Sequence, residues 1–150
     1  MTDYICTWWD RTERMTPFID GISSPIFRNR DTGEERSSQE LPIGALYVID
    51  RSFGGKSAPR GRDEYPKCGA DGLAIACKLP SGHHWYIDGT ASNCTKREDA
   101  AHRCWIRHGT VGDLLTVDKA GNTCDAGGGS IIDGAGGWHG FLRAGKLVEC

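Results

Sequence analysis

LAIACKLPSGHHWYID, residues 73–88, decides how the chain is read. Two runs rich in apolar, β-branched and aromatic residues flank the tight-turn pair Ser81-Gly82, the pattern of a β-hairpin. On the first run Leu73, Ile75 and Cys77 share a face. On the second, alternation sets His83, Trp85 and Ile87 on one side and His84, Tyr86 and Asp88 on the other. The Trp85 side is the more apolar and is expected to face the core, which leaves His84 the more exposed histidine.

Working outward, residues 45–50 (ALYVID) read as a strand before this hairpin, and residues 103–109 and 114–118 as strands after it. Residues 138–149 have the shape of a second hairpin around Arg143-Ala144-Gly145-Lys146. Glycine supplies 21 of 150 residues, a composition that favours short strands and many turns over a helical bundle. One short helix is expected after Thr95, which can cap it, with Glu98 completing a capping box. The fold class expected is therefore mainly β: a small antiparallel sheet or barrel-like domain of short strands, with at most one short helix.

Residues 1–40 read differently. Pro17, Gly21, Pro25 and Gly33 interrupt any long helix, while Phe18, Ile19, Ile22, Ile26 and Phe27 suggest a segment pinned to something. They are expected to form an extended N-terminal arm on a single β-rich domain of residues 41–150. Trp8 and Trp9 would be costly in water, so the arm should bury them against its own domain or a neighbour.

The bulk properties narrow the class. A chain of 150 residues fits one domain that removes roughly 70% of the extended chain's surface from water. It is 38% hydrophobic and 25% charged, and no apolar run approaches the ~20 residues of a membrane helix. No membrane partner and no signal peptide are expected. A formal net charge of −2 argues against a general nucleic-acid binder. The basic residues Arg51, Lys56, Arg60, Arg62 and Lys67 lie in a glycine- and proline-rich loop without P-loop spacing, which reads as a solvated or partner-facing loop. The glycines between residues 127 and 137 read as a surface crossover, with Trp138 closing an end of the core.

Chemistry concentrates in residues 83–108, which hold His83, His84, Cys94, His102, Cys104 and His108. Cys94, His102 and Cys104, with Cys68 or Cys77 brought in from the neighbouring hairpin, carry the soft and imidazole ligands of a tetrahedral zinc site. No C-x-x-C spacing is present, so three readings stay open: one structural zinc ion, a disulfide such as Cys94–Cys104 or Cys77–Cys124, or buried cysteines beside ordinary histidines. Enzymatic readings are weaker. There is no H-E-x-x-H, no H-x-E with P-C-x-x-C, no G-x-S-x-G elbow and no dinucleotide fingerprint. A Cys94 nucleophile would need His84, His108 or His139 as base, and no catalytic residue is assigned.

The run HHWYIDGTASNCT, followed by HRCWIRHGT, LTVDKAGNTC, GGGSI and WHGFL, resembles uncharacterised small proteins encoded by tailed bacteriophages. The resemblance covers roughly residues 68–145 and transfers no catalytic role. It implies a virion accessory protein, such as a cement, decoration or tail-associated subunit, made in the host cytoplasm. Its partners would be other virion proteins met through the N-terminal arm, and copies of itself in an oligomer or lattice. A small intracellular zinc-binding effector or hydrolase is the alternative.

Overall fold

The computed structural model describes residues 3–18, 20–49, 68–89, 94–96, 99, 102, 104–119, 131–133 and 138–149. In chain order these form β1 (Asp3–Ile5), β2 (Thr7–Met15), β3 (Pro25–Asn29) and β4 (Glu35–Ser37), then a 3-10 turn (Ser38–Glu40). β5 (Ala45–Val48), β6 (Ile75–Lys78) and β7 (His84–Tyr86) follow. The remainder is β8 (Ile106–His108), β9 (Thr116–Asp118), β10 (Ile131–Asp133), β11 (Trp138–Arg143) and β12 (Lys146–Glu149).

The strands assemble into two sheets. The first runs β1-β12-β11-β9-β8, with β10 also paired to β11; the second runs β4-β3-β2-β5-β6-β7. Every pairing is antiparallel except β2 with β5, where Thr7 lies opposite Ala45 and Trp8 opposite Leu46. The hairpin of residues 73–88 forms as its alternation requires: Ala76 faces Tyr86, Cys77 faces Trp85 and Lys78 faces His84. The last hairpin, β11–β12, turns through Ala144 and Gly145, at φ 46° and 76°. Both residues in the left-handed region match the twist of the flanking strands, the usual solution for a two-residue loop.

The main core is shared by the two sheets. Leu46, Ile75, Cys77, Leu79 and Ile87 from the second pack with Trp105, Leu115, Val117, Trp138, Leu142 and Leu147 from the first. Trp85 and Trp105 meet edge to face at 6.4 Å, a favoured aromatic geometry. A smaller cluster of Trp9, Phe27, Leu41 and Ala45 lies where β2, β3 and β5 adjoin, with Tyr47 packed against it. Ile87 and Trp105 are buried, Trp85 packs half-buried on the main core, and Ile106 is half-buried.

The fold is mainly β, as expected, and of the two forms expected, a sheet or a barrel-like domain, the sheets are not closed into a barrel. Nor do residues 3–40 stand off as an extended arm: β1 pairs with β12 in one sheet, and β2 pairs with β5 in the other. The crossing point is Cys6, whose N–H donates to Gly145 O at 2.9 Å while Thr7 N–H donates to Gly44 O at 3.1 Å. Gly44 makes this approach feasible. Its φ is +86°, and a Cβ there would stand 2.9 Å from Ile5 O. The aromatic expectation holds in a different setting: Trp9 is buried, and Trp8 packs on the main core with its Nε1–H donated to Asp113 O at 3.0 Å.

The basic loop of residues 51–67, most of the capping-box segment and the glycines at 127–129, 134, 136 and 137 lie outside the described residues. Among the described residues, no helix is long and apolar enough to cross a membrane.

Candidate metal centre

β7 is an edge of the second sheet and β8 an edge of the first. The segment between them therefore carries the chain from one sheet to the other, and the candidate site is built on it. After Cys94, Asp99 N–H donates to Lys96 O and His102 N–H donates to Asp99 O, both at 3.1 Å. His102 and Cys104 return to the neighbourhood of Cys94.

The ligand atoms of Cys94, His102 and Cys104 all lie within 4.8 Å of one another, and this group can hold a metal ion. His102 Nε2 stands 3.8 Å from Cys104 Sγ. A sulfur and a nitrogen bound to one tetrahedral zinc would be about 3.5 Å apart, given Zn–S and Zn–N lengths near 2.3 and 2.0 Å. The pair thus already has the separation that a shared ion requires. Lys96 N–H donates to Cys94 Sγ at 3.3 Å, which helps to fix the position of the sulfur. Cys94, His102 and Cys104 are 8%, 9% and 0% exposed.

The other sequence candidates lie elsewhere. Cys77 is fully buried in the main core, opposite Trp85, and is not in the Cys94 group. A hydrogen bond with the Cys6 thiol, together with burial, pushes its own thiol well up. Cys68 is half-buried just before the turn into β6, and it too lies outside the group. No disulfide joins Cys6, Cys68, Cys77, Cys94 or Cys104 among the described residues. Cys124 is outside the described residues, so the Cys77–Cys124 alternative lies there too. Two of the histidines considered as bases are engaged otherwise: His84 Nδ1 pairs with the Tyr47 hydroxyl at 2.6 Å, and His108 Nε2 with Asp118 Oδ1 at 2.8 Å. Burial, then Lys78 and His83, lowers the pKa of His84, so the neutral ring is favoured.

A second staple spans the same crossover, and the sequence reading missed it. Arg107 on β8 reaches Asp88, just past β7, through Nε at 3.1 Å. It grips Asp71 with both terminal nitrogens, at 2.9 and 2.8 Å. Gly109 O and Leu73 O accept the remaining bonds at 2.7 and 3.1 Å. All five guanidinium N–H groups therefore have an acceptor. Asp88 Oδ2 accepts from Ile75 N–H at 3.0 Å. Burial raises the Asp88 carboxyl despite these partners, whereas the Arg107 hydrogen bonds hold Asp71 well below the usual carboxylate range. The signal was present in the alternation: Arg107 follows Trp105 by two positions and so shares its inward face. A cation there demands a buried partner.

Comparison with protein-family models, curated proteins and solved structures gives no match to this chain.

Proposed function

We propose that this protein is a zinc-stapled β scaffold whose role is structural and exercised through contacts with other proteins. The observation that carries the metal reading is the buried convergence of Cys94, His102 and Cys104 on the segment joining the sheet edges. Two thiolates and a neutral imidazole would leave a zinc complex with no net charge, which suits a site this dry. Soft sulfur ligands favour zinc over magnesium or calcium. Three protein ligands leave one tetrahedral position unfilled among the described residues, and it is the low exposure of all three that supports a structural ion over one that meets a substrate. The role assigned to the ion is to lock the residue 89–105 crossover, in parallel with Arg107.

Elemental analysis of protein purified without chelator tests this. The expected result is zinc in stoichiometric amount, lost from a Cys94→Ser variant, with chelation lowering the Tm of the native protein. Protein that carries no zinc and whose Tm is unchanged by added zinc would refute it.

The contact reading is supported by the exposed end of the β2–β3 hairpin. Phe18 and Ile22 are 78% and 58% exposed, with Met15 beside them at 40%. Large apolar side chains gathered at one tip favour a protein partner. With the phage resemblance, this supports an accessory place in a virion, among other virion proteins or copies of the same chain. Mass spectrometry of purified particles tests it: the reading expects the chain at a fixed copy number, and its absence from particles would refute it.

A further inference from the structure

We infer that the proposed metal clip is also a thiol–disulfide switch, in which a hydroperoxide joins Cys94 to Cys104 and expels the ion. The inference rests on the metal reading above and adds its regulation. Its basis is that the two sulfurs lie within 4.8 Å of each other in a group with His102, only ten positions apart in sequence. Bound to one tetrahedral zinc, the sulfurs would be about 3.8 Å apart. A disulfide requires about 2.05 Å. One pair of sulfurs cannot satisfy both, so forming the bond removes two of the three protein ligands at once. His102 alone does not retain a zinc ion.

The order of attack follows from accessibility. Cys94 retains 8% exposure, while Cys104 is wholly enclosed. Cys94 is therefore the sulfur that meets the oxidant, and Cys104 the one that resolves it. In the first step the Cys94 thiolate attacks the terminal oxygen of hydrogen peroxide. The S–O bond forms, the O–O bond breaks, and hydroxide leaves with the peroxide reduced. In the second step the Cys104 thiolate attacks Cys94 Sγ. The S–S bond forms and the S–O bond breaks, releasing a second hydroxide. Two thiolates have lost two electrons in total, and zinc passes to solvent. A dithiol reductant reverses the process and restores the ligands.

Cys6 and Cys77 provide an internal control. They too are in contact, yet Cys77 is fully buried in the main core and its pKa is well raised. Cys6 is half-buried and can meet the oxidant, but the thiol that would resolve it is protonated and enclosed, a poor nucleophile, so this pair should form no disulfide while the clip oxidises.

The test uses the full chain, reduced and loaded with zinc, whose zinc content is measured before any oxidant is added. That first measurement judges the metal reading alone. Hydrogen peroxide is then titrated in while a colorimetric chelator reports released zinc and peptide mapping locates disulfides. The expected result is zinc release in step with a Cys94–Cys104 disulfide, and recovery of binding after reduction. A Cys104→Ser variant should stop at a Cys94 sulfenic acid that dimedone traps. If that variant does not fold, mapping of the native chain decides alone. Zinc retained at complete peroxide consumption, release accompanied only by sulfinic acids, or a Cys6–Cys77 disulfide formed first would each overturn the switch.

Discussion

Replacing Arg107 by Met tests how much of the crossover depends on its ionic staple. Met keeps a comparable apolar stem and removes the charge and all five donors. The guanidinium is 4% exposed, and so is its partner Asp88. The substitution leaves Asp88 enclosed with the Ile75 N–H at 3.0 Å. Asp71 is better placed, since it is 26% exposed and keeps bonds from Thr110 and Leu73. Removing one member of a buried pair costs about 3–5 kcal/mol, mostly because the other charge is stranded. With a urea m-value of about 2 kcal/mol/M, the unfolding midpoint should fall by roughly 1.5–2.5 M. Adding Asp88→Asn should recover a large part of that loss, because Asn can still accept from Ile75 without a charge. pH supplies an independent check. The Asp88 carboxyl is already raised in the folded state, so its ionisation is what the fold resists. Stability linked to it is present at low pH and is lost as pH rises through the folded pKa. The deficit of Arg107→Met should accordingly narrow as pH is lowered from neutral. A loss below about 1 kcal/mol, or a further loss on adding Asp88→Asn, would refute the reasoning.

Other substitutions probe the frame around the site. His84 Nδ1 pairs with the Tyr47 hydroxyl, and burial depresses the His84 pKa on folding. Stability from it is present above the unfolded pKa of about 6.5 and is lost as pH falls through the lower folded value. A His84→Phe variant should flatten that acid limb in pH-dependent urea titrations; an unchanged limb would discard the assignment. Gly44→Ala should destabilise by more than Gly72→Ala, since both have positive φ but only Gly44 sits against Ile5 O. Equal losses in thermal unfolding would contradict the close approach. Gly69→Ala places a Cβ against the Arg107 guanidinium and should weaken the staple as Arg107→Met does; native-like stability would show that the guanidinium has room to move. Phe18→Ser with Ile22→Ser should leave Tm within about 1 °C, because both side chains are exposed. The same pair of changes should reduce incorporation into particles, and undiminished incorporation would discard the hairpin tip as the contact.

What was legible in the sequence followed from local alternation. Residues 73–88 announced β6 and β7 because an apolar face of period two runs through Ile75, Cys77, Trp85 and Ile87 around a glycine turn. The final hairpin was visible for the same reason. Residues 7–15 hid their strand because Asp10, Arg11, Glu13 and Arg14 mask the alternation; β2 is half-exposed and its charges find partners across strands. Asp10 pairs with Arg30 at 2.6 Å, and Arg14 and Arg28 both pair with Glu35. Pro17, Gly21 and Pro25 looked like breaks in an arm, yet Pro25 is the first residue of β3, where a missing N–H is tolerated. The parallel pairing of β2 with β5 joins residues far apart in sequence, so no local signal reports it. At the candidate metal centre, Cys94, His102 and Cys104 were legible as soft ligands on one segment. That Cys77 lies instead with Cys6 in the main core depends on tertiary packing.

The central claim is that Cys94, His102 and Cys104 hold one zinc ion, and X-ray absorption at the zinc edge of the purified chain addresses it most directly. The account predicts two sulfur ligands at about 2.3 Å and imidazole nitrogen at about 2.0 Å, and no bound zinc in Cys94→Ser. A first shell of oxygen and nitrogen without sulfur, or no zinc in the sample, would contradict it.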